Sequence, residues 1–566
     1  MIKDYGTIPP NISTSTLNFQ PDYFKRMSHH SPFGGSSSYY YFQMAGLYPS
    51  SVRKAGVKTN NCYTVVKGNY ENGLNIPLLI HSNELQYEQE NDNNDNDDIE
   101  NVSKMRKLYK SEFKVLSKYS IPIIFSEILR NTLLMMPILF IGHRTAFELA
   151  AITLGSTYCN VTGWCLLIGM DSALDTLCSQ AYAAANTLEE KKIVGEILQR
   201  GFVILMTICI FIVGLWQFTE PILLLCQQDP DISELAGVFS RFSCLGLIPY
   251  VVFECEKKLL QIQGIMYVPT FIIASALPIN AFLHYYFIFS KWSPLPDEIA
   301  YIGSPFSTAI TFSYMSIIGL LYIKYVNGKE CWGGLDLKCI FNFKKWIEFL
   351  KLGFPGAIMV CNEWWAYEVC ALLAGILGET QLAVQSIFSS ITNYSYNIPM
   401  GLSMATTLRL GYHLGEKSSK KAIATTRISI FMAFCFGLVN SLVLLIFRHQ
   451  LPKIFTNSEK VIKECSNILI IGAFYQLSDG LATIGTGILK GSGHQKNGAL
   501  INFVAYWIIG LPLGILLCFV FNLDLNGIWI GMALALFSVM VLEFITIYRI
   551  DWSKEVEATI ERISKN

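Results

Sequence analysis

The stretch GFPGAIMVCNEWWAYEVCALLAGILG, Gly353 to Gly378, decides how the chain is read. It is apolar at both ends and long enough to cross a bilayer as a helix, which takes about 20 residues. Yet its middle carries Glu363 and Glu368 among Trp364, Trp365 and Tyr367. A charge at the bilayer centre costs roughly 2.5–3.5 kcal/mol on insertion scales, so acids that persist there usually face an internal cavity. The opening residues also repeat an earlier run. GFPGAI matches SIPIIF, and Pro122 and Pro355 lie 355 − 122 = 233 apart.

The repeat extends outward from that pair. Gly142 and Gly375 keep the same offset, as do Glu148-Leu-Ala with Gln381-Leu-Ala and Asn160 with Asn393. Further on the offset shortens to 229, relating Lys191-Lys192 to Lys420-Lys421 and Gly264 to Gly493. One loop insertion or deletion accounts for the change. Twelve apolar segments of membrane-spanning length recur, from about 117–141 to 524–548. They divide into two halves of six that run in the same direction. The expected fold is an all-α integral membrane protein of twelve transmembrane helices in two pseudo-symmetric six-helix lobes. Secondary transporters commonly use such duplication, with substrate held between the halves.

Composition agrees. The chain has 566 residues, 52% hydrophobic and 15% charged, against about 25% charged in a soluble domain. Its 43 basic and 43 acidic residues give no sign of a nucleic-acid partner. The 15 Cys show no C-x-x-C pair, so neither a zinc site nor a redox motif is indicated, and no metal or cofactor is expected. Neither H-E-x-x-H nor G-x-S-x-G occurs, so an enzyme is not expected. Residues 1–112, which include EQENDNNDNDD, read as a disordered tail without a cleaved signal peptide. The remaining divisions are an N-lobe at 113–326, a linker at 327–343, a C-lobe at 344–550 and a C-terminal tail at 551–566. Lys191-Lys192, Lys257-Lys258, Lys344-Lys345 and Lys420-Lys421 fall in loops on one side. The positive-inside rule makes that side, with both termini, cytosolic.

Within the segments, Glu127 and Arg130 are three apart and share a helical face. They read either as an internal ion pair or as a cavity-facing carboxylate. Asp171 and Asp175 share a face near the cytosolic end and read as structural. Glu363 with Tyr367, and Trp364 with Glu368, are i,i+4 pairs; Glu363 and Glu368 stand about 140° apart around the helix. Glu363 is therefore the expected cavity acid, with Glu368 turned away from it. Asp479 lies well inside its segment, with no basic residue close in sequence to neutralise it. His284 reads as a core histidine and Arg409 as an end anchor.

GHRTAFELAAITLG, GMDSALDTLCSQAYAAAN, CNEWWAYEVCALLAGILG and GILKGSGHQKNGALIN resemble, in order, motifs of the multidrug and toxic compound extrusion (MATE) transporters, in their eukaryotic, fungal-like branch. The resemblance covers about residues 110 to 550. It implies a central cavity between the lobes and cation-driven efflux of varied organic solutes, usually proton-coupled. Glu363 matches the family's exchange glutamate, Asp479 a second carboxylate, and Glu127 a position where animal members carry glutamine. These three are the expected proton or cation couplers. Asn160, Trp364, Tyr367, Glu368 and Tyr396 match cavity positions and are the expected substrate contacts. Ser390 stands where animal members have a further glutamate, and Tyr412 replaces an asparagine. The implied partners are small, cationic organic substrates, protons and the bilayer, with a monomeric carrier in the plasma or vacuolar membrane and the proton favoured over sodium. A lipid flippase of the same superfamily is the alternative.

Overall fold

In the computed structural model of the protein, residues 63–69 and 75–565 are described. Residues 63–81 hold a hairpin, with β1 (Tyr63–Asn69) antiparallel to β2 (Asn75–His81) and Tyr63 opposite His81. The rest is helical. Most of the expected disordered tail, residues 1–62 and 70–74, lies outside the described residues. Residues 82–112 do not follow that expectation: α1 runs from Ser82 to Ile141. No Gly or Pro interrupts it before Pro122, and Glu84 stands in its first turn, where the helix dipole favours negative charge.

From α1 onward the helices follow the expected order: α2 (Ala146–Ala184), α3 (Leu188–Gln217), α4 (Pro230–Ile262), α5 (Tyr267–Phe289) and α6 (Asp297–Tyr325). The second half continues with α7 (Phe343–Leu377), α8 (Glu379–Gly415), α9 (Ser419–Phe447), α10 (Glu459–Ser492), α11 (Gln495–Val520) and α12 (Asp524–Tyr548). Among the described residues, ten of these twelve are apolar enough to count as membrane spans by composition. The exceptions are α7 and α8, with 35 and 37 residues. Length suffices for both, but polar side chains run through their middles, and those are the side chains that line the site below.

Local chemistry sets several of the starts. Thr145-x-x-Glu148 and Thr187-x-x-Glu190 open α2 and α3, and each threonine accepts a hydrogen bond from the glutamate's backbone N–H, half of a capping box. Asp229 caps α4, with Pro230 in the first turn where it costs no hydrogen bond. Hydroxyls inside the spans are satisfied by the preceding turn; Thr153, Thr207 and Ser240 each donate to the carbonyl four residues back. The C-terminal segment, expected only as a tail, forms α13 (Trp552–Lys565). Trp552 and Val556 pack into the core on its apolar face, and it lies against α2, α7, α8 and α9.

The two lobes meet closely at the end where α2 finishes and α7 begins. A Cβ on Gly169 of α2 would lie 2.3 Å from Ala357 Cα of α7, and one on Gly415 of α8 would lie 2.2 Å from Gln180 O of α2. Polar bonds follow the same seam. Thr176 Oγ1 donates to Lys490 O at 2.7 Å, Gln180 Nε2 to Gly491 O at 3.1 Å, and Arg562 Nη1 to Gln180 Oε1 at 2.8 Å. Lys191, Lys344, Lys345, Lys420 and Lys421, expected in loops, stand in the first turns of α3, α7 and α9 and border this end, termed the loop-lysine end. Lys257 and Lys258, expected in a loop, instead lie inside α4. Lys257 pairs with Glu254 at 2.6 Å, and Lys258 with Asp175 at 2.6 Å and Asp171 at 3.2 Å. The helix runs nearly two turns further than the apolar pattern suggests, and three acids make the burial of both ammonium groups tolerable.

Candidate functional site

Beyond that seam the lobes part around a cavity of about 480 Å3, within the range of small-molecule sites. Its walls repeat the internal symmetry. On α1 the lining residues are Arg130, Asn131, Leu134, Met135 and Ile138; on α7 they are Glu363, Trp364, Tyr367, Glu368 and Ala371. Each pair is 233 apart, beginning with 363 − 130 = 233. Ser156, Cys159, Asn160 and Trp164 of α2 stand in the same relation to Ser389, Thr392, Asn393 and Asn397 of α8. The two halves present corresponding faces to one space.

Asn160 begins a π-helical turn, Asn160–Trp164, inside α2. Such turns widen a helix locally and frequently mark functional sites. Within it the Val161 carbonyl accepts from Trp365 Nε1 of α7 at 2.9 Å and from Cys165 Sγ at 3.0 Å. On α7, Glu363, Trp364, Tyr367 and Glu368 all line the cavity. Glu368 thus lines the cavity where the resemblance put it, although it stands about 140° from Glu363 around the helix. The cavity is wide enough to be lined by both adjacent stripes of the helix, one through Glu363 and Tyr367, the other through Trp364 and Glu368.

The C-lobe acids share the cavity lining with an aromatic cluster. Tyr367 and Tyr475 share a hydrogen bond between hydroxyls at 2.6 Å. Trp529 packs edge-on to Tyr475 with ring centroids 5.5 Å apart and is tilted against Phe388 at 4.3 Å. Its indole N–H donates to Gln385 Oε1 at 2.7 Å. Asp479 of α10 is 2% exposed and accepts from Gln476 Nε2 at 3.2 Å. Among the described contacts, no hydrogen bond joins Asp479 to Glu363, but both line the cavity. Lys490, three turns further along α10, reaches the same cavity. Asn160 and Tyr396 also line it.

Glu127 is placed differently. It is buried, and Arg130 Nε donates to it at 3.0 Å, with Nη2 also bound. Arg130 lines the cavity and Glu127 does not. Of the two readings of this pair, the ion pair describes the geometry. Sequence reasoning named Arg130 only as a neighbour; adding 233 to its number, to reach Glu363, would have singled it out. His284 is buried, with Asn280 O at 2.9 Å from Nδ1 and Ser304 Oγ at 3.3 Å from Nε2, as a core histidine would be. Ser390 donates back to Ser386 O at 2.8 Å, and Tyr412 packs on the Arg409 guanidinium.

The family model MatE matches residues 122–286 and again 355–516. The two matches start at Pro122 and Pro355, the pair that opens the internal repeat. The chain belongs to the MATE family. An uncharacterized transporter of Schizosaccharomyces pombe is 31% identical over 84% of this chain and 86% of its own length. Multidrug and toxin extrusion protein 1 of Homo sapiens is 32% identical over 79% of this chain and 76% of its own. The crystal structure of the eukaryotic MATE transporter AtDTX14 superposes with a TM-score of 0.75 at 25% identity, covering 81% of this chain and all of that one. As a MATE protein the chain is a multi-pass membrane transporter and not an enzyme.

Proposed function

We propose that this MATE protein is an antiporter that exports organic cations and other xenobiotics from the cytosol in exchange for protons by alternating access. The observation that carries the reading is the placing of Glu363 and Asp479 on the lining of one cavity, alongside aromatic rings and, among the described residues, with no salt bridge to a basic side chain. Burial disfavours the charged form of a carboxylate, and two nearby acids disfavour it further. Such a pair exchanges protons readily. In its charged form it attracts a cation, to which Trp364 and Tyr367 add contacts worth about 0.5–2 kcal/mol each. Proton and substrate compete for one site, and competition is enough for exchange. The proton gradient then drives transport without a cofactor, and the proton is favoured over sodium.

The loop-lysine end faces the cytosol on this reading, by the positive-inside rule. The structure is then the outward-facing state, closed below by the α2 seam. Plasma membrane and vacuole both suit it, and a single chain is a complete carrier. A lipid flippase would need a strongly basic cavity for phosphate headgroups; here Glu363, Glu368 and Asp479 stand against Arg130 and Lys490, which favours the cation exporter. The test is Glu363→Gln in reconstituted vesicles with an imposed pH gradient. Expected is loss of gradient-driven transport of an organic cation to below about a hundredth, with folding and insertion retained. Full transport by the variant would overturn the assignment.

A further inference from the structure

Inside α12 stands a carboxylate that the transport reading leaves unused. Glu543 is 0% exposed, on the helix that packs against α10. Its Oε1 accepts from Thr486 Oγ1 of α10 at 2.9 Å, and its Oε2 is buried without a hydrogen-bond partner. Gly485 makes the room, since a Cβ there would run into Oε2. Among the described residues, no salt bridge joins Glu543 to a base. A buried charge needs a partner as well as hydrogen bonds. A carboxyl enclosed in this way is suited to holding a proton.

Thr486 connects this acid with the site. It is half-buried and lines the cavity. With Asp479, Thr483 and Lys490, each three or four residues from the next, it forms the lining stripe of α10. A hydroxyl donates one hydrogen and accepts through its lone pairs. Thr486 can pass its hydrogen to Oε1 while taking one from a proton donor in the cavity. The donor loses one proton, Glu543 gains one, and the hydroxyl is restored. On the helices packed against α12, the charged lining residues are Asp479 and Lys490 of α10 and Glu363 and Glu368 of α7, and α11 adds the phenol of Tyr506. Glu256 of α4 is a contrast. It is also buried, and neither of its oxygens has a hydrogen-bond partner. Among the described contacts, no hydroxyl links it to the cavity lining.

We propose that Glu543 is a further proton-binding residue of the carrier, loaded and emptied through the Thr486 hydroxyl. This rests on the transport reading above and adds a proton site behind the cavity wall. A bound cation competes directly for Glu363 and Asp479, but it cannot reach the enclosed carboxylate. Glu543 then adds to the coupling with the gradient and not to substrate affinity.

The test uses the full chain in proteoliposomes and has two arms. The first is the infrared difference spectrum between acidic and alkaline buffer, read at the C=O stretch of protonated carboxyl groups. The wild type is expected to show a component that Glu543→Gln loses and Glu256→Gln keeps. Glu543→Gln preserves the side-chain size and the acceptor for Thr486, so the fold is retained. The second arm is tetraethylammonium transport. In Glu543→Gln the initial rate is expected to rise less steeply with the imposed pH difference, while KM stays at the wild-type value. Thr486→Val, which leaves the acid and removes its link, is expected to lose the same steepness, and Thr486→Ser to restore it. An acid with a structural role alone would keep one protonation state, and no pH-dependent band would vanish with it. A Glu543→Gln protein that keeps every component of the band, or that keeps the wild-type steepness, overturns the proposal. If the wild type moves no tetraethylammonium with the gradient, the transport reading itself fails, and the coupling role of Glu543 falls with it whatever the spectrum shows.

Discussion

Glu112 of α1 and Arg409 of α8 form a two-pronged ion pair across the lobes at the loop-lysine end, with Oε2 2.9 Å from Nε and Oε1 2.8 Å from Nη2. His413 Nε2 lies 3.1 Å from the same carboxylate and Thr425 Oγ1 lies 3.3 Å away. One acid of the N-lobe therefore gathers three groups from α8 and α9. The end anchor expected at Arg409 is a fastening between lobes. Separating the lobes at this end breaks every one of these contacts at once.

Glu112→Gln should therefore shift the resting protein toward the state open at the loop-lysine end. Removing one partner of a buried, hydrogen-bonded ion pair costs about 3–5 kcal/mol, so the shift in the conformational equilibrium is expected to exceed a hundredfold. Leu188 on the N-lobe and Lys420 on the C-lobe are both exposed beside the seam. Spin labels at these two positions, with exposed Cys226 and Cys435 replaced, report the separation. A longer mean distance in Glu112→Gln than in wild type is expected. An unchanged distance distribution would remove the pair from the gate.

A second pair crosses the same seam nearer the cavity. The thiols of Cys165 on α2 and Cys361 on α7 lie 3.3 Å apart, and both are buried. Any motion that parts α2 from α7 must part these sulfurs. Mild oxidation of the closed state should join them and hold the lobes together, so transport should fall to near background and return on reduction. Cys361→Ser should make the protein insensitive to the oxidant. Loss of transport by oxidised Cys361→Ser would point to another thiol and deny these two the role.

The helices, their order and the duplication were legible from sequence because each signal is local or has a fixed offset. Apolar length marks a span, and a constant spacing between Pro122 and Pro355 or Asn160 and Asn393 marks a repeat. Glu363 and Asp479 stood out because acids in apolar segments need a reason, whereas the cavity places of Asn160 and Tyr396 came from the family resemblance. What stayed hidden depended on how wide the cavity is and on which helix lies opposite. Glu368 lines the wall because the space covers two stripes of α7, and no helical wheel supplies that width. Lys257 and Lys258 look like loop residues until Asp171, Asp175 and Glu254, from two different helices, are seen around them. Arg130 seemed spent on Glu127, since a sequence does not say which partner of an ion pair is sealed and which is exposed. The cap that α13 places on the seam shows only as a weak pattern of Trp552 and Val556.

The close approach at Gly169 gives a test of whether closure at the loop-lysine end belongs to the transport cycle. A methyl group there would meet Ala357 Cα at 2.3 Å and Gly356 O at 2.7 Å. Both are backbone atoms, so no side-chain rotation relieves the clash, and α2 and α7 must separate. Overpacking of this kind costs typically 1–3 kcal/mol, and the cost falls on the closed seam, because the open state removes the contact. Gly169→Ala should then act in the same direction as Glu112→Gln, lengthening the label distance between the lobes. It should also lower kcat by about fivefold or more, since every turnover has to pass through the closed seam, while leaving the cavity residues in place. A Gly169→Ala protein with wild-type kcat and wild-type distances would mean that the seam is not a moving part, and alternating access would have to be sought elsewhere in the fold.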